Sequence, residues 1–147
     1  MKPFSIAIID YKMSNMFSIK NVLDNLGFNA EITSDTGKIL VADGAILPGV
    51  GSFPEAMEHL RDLGLDRAIR DFISSGKPFM GICLGLQLLF DVSHEGGRFE
   101  GMGVIPGEVV RFEDQPGVKI PHMGWNQRSD RVVQGLVYTN RVAPIRC

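Results

Sequence analysis

The run Lys77-Pro-Phe-Met-Gly-Ile-Cys-Leu-Gly-Leu-Gln-Leu-Leu-Phe90 decides how the rest of the chain is read. Its apolar stretch from Phe79 to Ile82 predicts a short buried strand, and Leu84, Leu88 and Leu89 then recur at helical intervals. At the junction stands Cys83, flanked at two-residue spacing by Gly81 and Gly85. Gly-x-Cys-x-Gly between a strand and a helix is the thiol form of a nucleophile elbow. The turn is so tight that side chains on either side would collide with neighbouring backbone. The thiol is then pushed out at the strand's C-terminal end, where open α/β sheets bind ligands. A helix starting there would aim unpaired N–H groups and a partial positive charge at the sulfur. An isolated cysteine in an apolar run more often acts as a small buried hydrophobe. Two glycines at this spacing, with the strand-to-helix switch on the correct side, turn the reading towards catalysis.

Working outward, strands and helices alternate. Ser5–Asp10 reads as a first buried strand, and Asn15–Leu26 as a helix with Met16, Ile19, Val22, Leu23 and Leu26 on one face, closed by Gly27. Asn29–Thr33 and Gly44–Leu47 read as further strands. Ser52-Phe-Pro-Glu55 has capping-box spacing and opens a helix carrying Met57 and Leu60. A helix over Leu65–Ser75 precedes the strand that ends at Cys83. Glu95 to Gly107 is rich in glycine, Glu108–Phe112 is a plausible extra strand, and Ile120–Asn126 is a compact mixed segment. Repeated strand–helix units predict an α/β fold with a mainly parallel central sheet and flanking helices.

In a parallel sheet, Pro48-Gly-Val-Gly-Ser52 leaves its strand on the same rim as the elbow. A tight loop that merely ends a strand is the plain reading. A dinucleotide fingerprint fails, because Pro54 occupies the third glycine position of G-x-G-x-x-G. Thioester chemistry passes through a tetrahedral oxyanion that needs two N–H donors. Leu84 N–H, just after the nucleophile, and the Gly49–Gly51 backbone, including Val50, are the candidates.

With these segments in view, the chain resembles the class I (triad) glutamine amidotransferases, and within them the glutaminase subunits of imidazole glycerol phosphate synthase. Three runs carry the likeness: Leu47-Pro-Gly-Val-Gly-Ser-Phe53, Gly81-Ile-Cys-Leu-Gly-Leu-Gln-Leu-Leu-Phe90 and Pro121-His-Met-Gly-Trp-Asn126. The resemblance implies a flavodoxin-like fold. It implies that Cys83 attacks the side-chain amide of glutamine, that Gln87 helps hold the substrate, and that Gly49–Gly51 reorganise into the oxyanion hole. Ammonia would pass to a cyclase subunit of (βα)₈-barrel fold, which Asn15, His122, Met123 and Trp125 would face. In Asp10-Tyr-Lys-Met-Ser-Asn15, Lys12 and Ser14 stand where the family commonly has glycine. No metal or cofactor is implied.

Composition sets outer limits. Fifteen basic against seventeen acidic residues give a net charge of −2, which offers no electrostatic case for nucleic acid or an anionic membrane. No apolar run reaches the length of a membrane span. With only Cys83 and Cys147, a disulfide framework is not expected, and the reducing cytoplasm is the expected compartment.

The family also uses a late His-Pro-Glu run to complete its triad, and this sequence has none. Its three histidines are His59, read as a solvated helix residue, His94, in a polar loop, and His122, in the partner-side signature. Residues 1–126 read as an incomplete amidotransferase domain and 127–147 as a non-family tail, as a frameshift or premature stop would leave. The expectation is little or no glutaminase activity from this chain alone, with apolar surface left uncovered and low stability. Two other readings stay open. One is a non-catalytic remnant that still binds the cyclase. The other is an elbow-cysteine hydrolase of the intracellular-protease and deglycase-like superfamily.

Overall fold

A computed structural model describes residues 3–111, 116–117 and 145–146. Its first half alternates as the sequence predicts. The elements are β1 (Ser5–Ile9), α1 (Met16–Asn25), β2 (Asn29–Thr33), α2 (Thr36–Val41), β3 (Gly44–Leu47), α3 (Phe53–Asp62), α4 (Leu65–Ser74) and β4 (Phe79–Gly81). The four strands form one parallel sheet in the order β2-β1-β3-β4. The chain therefore steps outward in opposite directions on either side of β1 and β3. The chain leaving β1 and the chain leaving β3 pass to helices on opposite faces of the sheet, and at the carboxyl rim of such a switch point doubly wound sheets bind ligands.

Side-chain alternation divides the core. Ala7, Ile9, Ala45 and Leu47 face a layer built from Ile39, Phe53, Met57, Leu60, Leu65, Ile69 and Phe72, supplied by α2, α3 and α4. Ile8 and Ile46 face the other way, where α1 contributes Leu23, with Ala30 from β2 beside it. That second layer is thin, and Phe17, Val22 and Leu26 of α1 stand largely in solvent.

After β4 come the short α5 (Leu84–Gln87), β5 (Phe90–Ser93), β6 (Phe99–Glu100), β7 (Ile105–Val110) and β8 (Ile145–Arg146). These last four strands make a second sheet in the order β6-β5-β7-β8. The extra strand is β7, three residues earlier than its predicted start.

Several expectations need correction. β4 is not buried: among the described residues it pairs only with β3, and Met80 is 40% and Ile82 36% exposed. Its apolar run marks a strand of which only one flank is covered. The helix after Cys83 is a single turn, because amides of a later segment capture the carbonyls just beyond it. Met102 N–H donates to Leu88 O at 2.9 Å, and Val104 and Ile105 N–H donate to Leu89 O at 2.8 and 2.9 Å. The chain then turns into β5, although Leu84, Leu88 and Leu89 are buried as the apolar spacing predicts. α2 was not predicted: six residues containing Gly37 are too few for periodicity to register. Its one signal is Asp35, whose side chain caps the helix by accepting from Lys38 N–H at 3.0 Å.

Candidate active site

Cys83 sits at φ 55°, ψ −122°, in a region that side-chain-bearing residues rarely adopt. The surroundings over-determine this backbone. Ile82 N–H donates to Leu47 O at 2.9 Å, continuing the β3–β4 pairing to the edge of the turn. Gly85 N–H returns to Ile82 O at 3.0 Å. A Cβ on Gly85 would overlap the Leu47 carbonyl oxygen, and one on Gly81 would come within 2.7 Å of Leu86 Cα. Both glycines are therefore required by close approach, and the cysteine between them is solvent-exposed.

The amides of Leu86 and Gln87 donate back to Cys83 O at 2.9 and 3.2 Å. Leu84 N–H, the first of this turn, takes no part in that ladder, as expected at a helix N-terminus. Gln87 lies one turn beyond Cys83 and is half-buried. Peptide dipoles sum along an axis, so a four-residue helix supplies only a fraction of the field that a full helix would give.

The Pro48–Ser52 loop packs directly on the elbow, as the shared rim predicts. A Cβ on Gly49 would stand 2.5 Å from Tyr11 Oη, 2.7 Å from Gly85 N and 2.9 Å from Leu84 Cβ. Gly51 has φ 99°. Gly49 is buried while Val50 is 54% exposed. Val50 N–H, one candidate oxyanion donor, donates to Met13 O at 3.2 Å. In this state the first loop holds that amide.

The end of the loop is pinned by a residue the sequence did not single out. Ser52 is the N-cap of α3, but its side chain makes no capping bond; its Oγ lies 3.4 Å from Glu55 Oε2. The capping box is therefore incomplete. Phe53 N–H is instead satisfied by Glu95 Oε2 at 2.9 Å, across 42 residues of chain. Only an acidic residue in a glycine-rich stretch hints at this, and its partner is invisible in sequence.

The first loop, 10–15, has its own tension. Lys12 occupies φ 71°, held by its N–H donating to Asp10 Oδ1 at 2.9 Å. This is a site where glycine would be unstrained. Asn15 is exposed at the N-cap of α1 and makes no side-chain cap. Tyr11 is wholly buried, and the Tyr11 and Ser14 hydroxyls have no partner among the described residues. Burial pushes the Tyr11 phenol pKa well up, and negative charge at nearby Cys83 pushes it the same way.

The reading of His59 as a solvated residue needs correction. It is half-buried, and Nδ1 lies 3.1 Å from Tyr11 O. A carbonyl only accepts, so Nδ1 carries the hydrogen. His94 is exposed, with Nε2 3.0 Å from Glu108 Oε2. His122, Met123 and Trp125 lie outside the described residues, as does the 127–147 tail apart from Ile145–Arg146. No group of three or more potential metal ligands occurs among the described residues, and no described helix is long and apolar enough to cross a membrane.

A family model described as "Glutamine amidotransferase class-I" matches residues 7–145. A protein of Moorella thermoacetica named imidazole glycerol phosphate synthase subunit HisH is 54% identical over 127 residues, covering 86% of this chain and 59% of its own. One of the same name from Synechococcus elongatus is 53% identical over 122 residues, covering 83% and 56%. The chain thus spans under three fifths of the length of these relatives. Among solved structures, a putative peptidase E protein from Listeria monocytogenes superposes with TM-score 0.60 at 16% identity, covering 78% of this chain and 69% of that one. A glutamine amidotransferase superposes with TM-score 0.58 at 18% identity, covering 70% and 54%. At such identities these two likenesses bear on the fold alone.

Proposed function

The chain belongs to the class-I glutamine amidotransferases, and from that premise we propose that it is the glutaminase part of an imidazole glycerol phosphate synthase. Cys83 Sγ attacks the side-chain carbonyl carbon of glutamine. The oxyanion is received by Leu84 N–H and, after the loop turns, by an N–H of the Gly49–Gly51 segment. Ammonia leaves with an added proton, and water releases glutamate from the γ-glutamyl thioester. Gln87 helps hold the substrate. Ammonia passes to a cyclase of (βα)₈-barrel fold docked over the first loop at Asn15, with His122, Met123 and Trp125 completing that face. Such a biosynthetic role belongs in the cytoplasm.

The observation that carries this reading is the exposed, positive-φ Cys83 wedged against β3, with a glycine loop of the same rim resting on it. The names of the relatives supply the choice among amidotransferases.

Turnover by this chain alone is proposed to be weak, for two reasons. Each described histidine is engaged elsewhere, His59 with the Tyr11 carbonyl and His94 with Glu108. Losing an acid–base group typically costs about 10²–10⁴-fold in rate. The second reason is that Val50 N–H is held by Met13. The test is ammonia release from glutamine, with and without a barrel cyclase and its nucleotide substrate. Cys83-dependent release well below that of a relative of full length is the expected result. Robust turnover that survives Cys83→Ala would overturn the assignment. Co-purification with the barrel in the absence of any turnover would favour a docking remnant instead.

A further inference from the structure

Tyr11 is a buried polar group for which the mechanism above has no use. It lies two residues beyond β1, its ring lies in the main core, and its carbonyl is tied to His59. Its hydroxyl is sealed from solvent and has no hydrogen-bond partner among the described residues. Such a group is costly unless another state of the molecule supplies a partner.

Its location says which state. The hydroxyl rests against Gly49, at the point where that residue also meets Gly85 N and Leu84 Cβ. The phenol therefore lies beneath the seam between the glycine loop and the elbow. Gly49 C=O and Val50 N–H belong to one planar trans peptide and point in opposite directions. Val50 N–H is now directed at Met13 O, on the first loop. If that peptide turns to offer Val50 N–H to an oxyanion, the Gly49 carbonyl swings to the side the amide has left. That side is lined by the 10–15 loop, which carries Tyr11.

We infer that the Tyr11 hydroxyl is the donor that receives the Gly49 carbonyl when the Gly49–Val50 peptide turns, making Tyr11 a positioning residue for the oxyanion hole. This rests on the amidotransferase reading. The raised phenol pKa fits the role, since Tyr11 keeps its proton at any pH where a thiol ionises. Bonding in only one of two loop states shifts the loop towards that state, as any differential interaction must.

Tyr11→Phe removes the hydroxyl and keeps the ring. Two electrophiles separate its effects on the full chain. A chloromethyl ketone analogue of glutamine reacts through a tetrahedral oxyanion, whereas iodoacetamide alkylates a thiolate with no oxyanion at carbon. The expected result is ketone labelling of Cys83 slowed by about tenfold in Tyr11→Phe, the size of one neutral hydrogen bond. Iodoacetamide labelling should be unchanged and the thermal midpoint no lower, because an unpartnered buried hydroxyl has been removed. Equal ketone rates in the two proteins would overturn the inference. So would an equal slowing of both reagents, or a lowered midpoint with both slowed, which would mark a purely structural residue. A wild-type chain that iodoacetamide labels and the ketone does not would instead defeat the amidotransferase reading, and the inference with it.

Discussion

Two loops meet at the carboxyl rim of the first sheet, and they are built on opposite terms. The elbow, Gly81 to Gly85, is fixed along its β3 flank. It continues the β3–β4 pairing through Leu47, closes on itself through Ile82, and has no room for a single extra methyl. The Pro48–Ser52 loop is only held. One bond to Met13 restrains Val50, one carboxylate from a distant strand end pins Phe53, and the hydroxyl beneath Gly49 has no partner among the described residues. On the proposed reading, the nucleophile is in place before substrate arrives, while half of the oxyanion hole is not. A site divided in this way can be kept silent by one loop state, with no change at the sulfur.

The sharpest way to break the comparison is to crowd the rigid side. Gly85→Ala would drive a methyl into the Leu47 carbonyl. Overpacking a well-packed core typically costs about 1–3 kcal/mol, and here the obstacle is backbone. Loss of soluble, cooperatively melting protein is the expected outcome, read by thermal denaturation. A variant melting within a degree of the parent would mean the elbow is looser than described.

On the adjustable side, Val50→Pro deletes the amide in question and leaves Leu84 alone as donor. The expected effect is a fall of about 10²–10³-fold in acylation by glutamine or its ketone analogue, the usual size for one oxyanion donor. Iodoacetamide alkylation of Cys83 should be untouched. A fall in both would place Val50 in the fold rather than in the chemistry.

Alkali probes the same seam. The unfolded Tyr11 phenol loses its proton near pH 10, and the folded one does so only at higher pH. Between those values the unfolded state binds fewer protons, so the stability gradient with pH is negative. The contribution of Tyr11 is whole below pH 10 and is lost as pH rises towards the folded value. The parent chain should therefore lose stability above pH 10 more steeply than Tyr11→Phe. Parallel curves for the two proteins would contradict the buried phenol.

The smallest expected effect lies in the first loop. Lys12 pays for a left-handed backbone that glycine adopts freely, so Lys12→Gly should stabilise the chain by about 1 kcal/mol. A lower melting temperature would show that the Lys12 side chain is held by contacts worth more than the strain.

Much of the rigid loop could be read from sequence, and little of the adjustable one. Gly-x-Cys-x-Gly at a strand end leaves few conformations, because backbone collisions alone demand both glycines. β3 likewise follows from a short apolar run ended by Pro48. Apart from α2, too short to register, and β4, uncovered on one flank, the failures share one cause, which is that the deciding bonds are distant in sequence. Leu84, Leu88 and Leu89 keep helical spacing, yet amides from Met102 to Ile105 end the helix after one turn. Ser52 and Glu55 have the spacing of a box, yet Glu95 takes the amide. His59 sits among charged neighbours, yet turns inward to Tyr11. The hold of Met13 on Val50 belongs with these. No local pattern announces it.

The most direct measurement compares the two cysteines of the chain under a chloromethyl ketone analogue of glutamine, with peptide mapping of the adduct. The account predicts a single adduct at Cys83, slowed by excess glutamine, with Cys147 unmodified at the same time. Equal modification of Cys83 and Cys147, or labelling of Cys83 that glutamine does not slow, would contradict it.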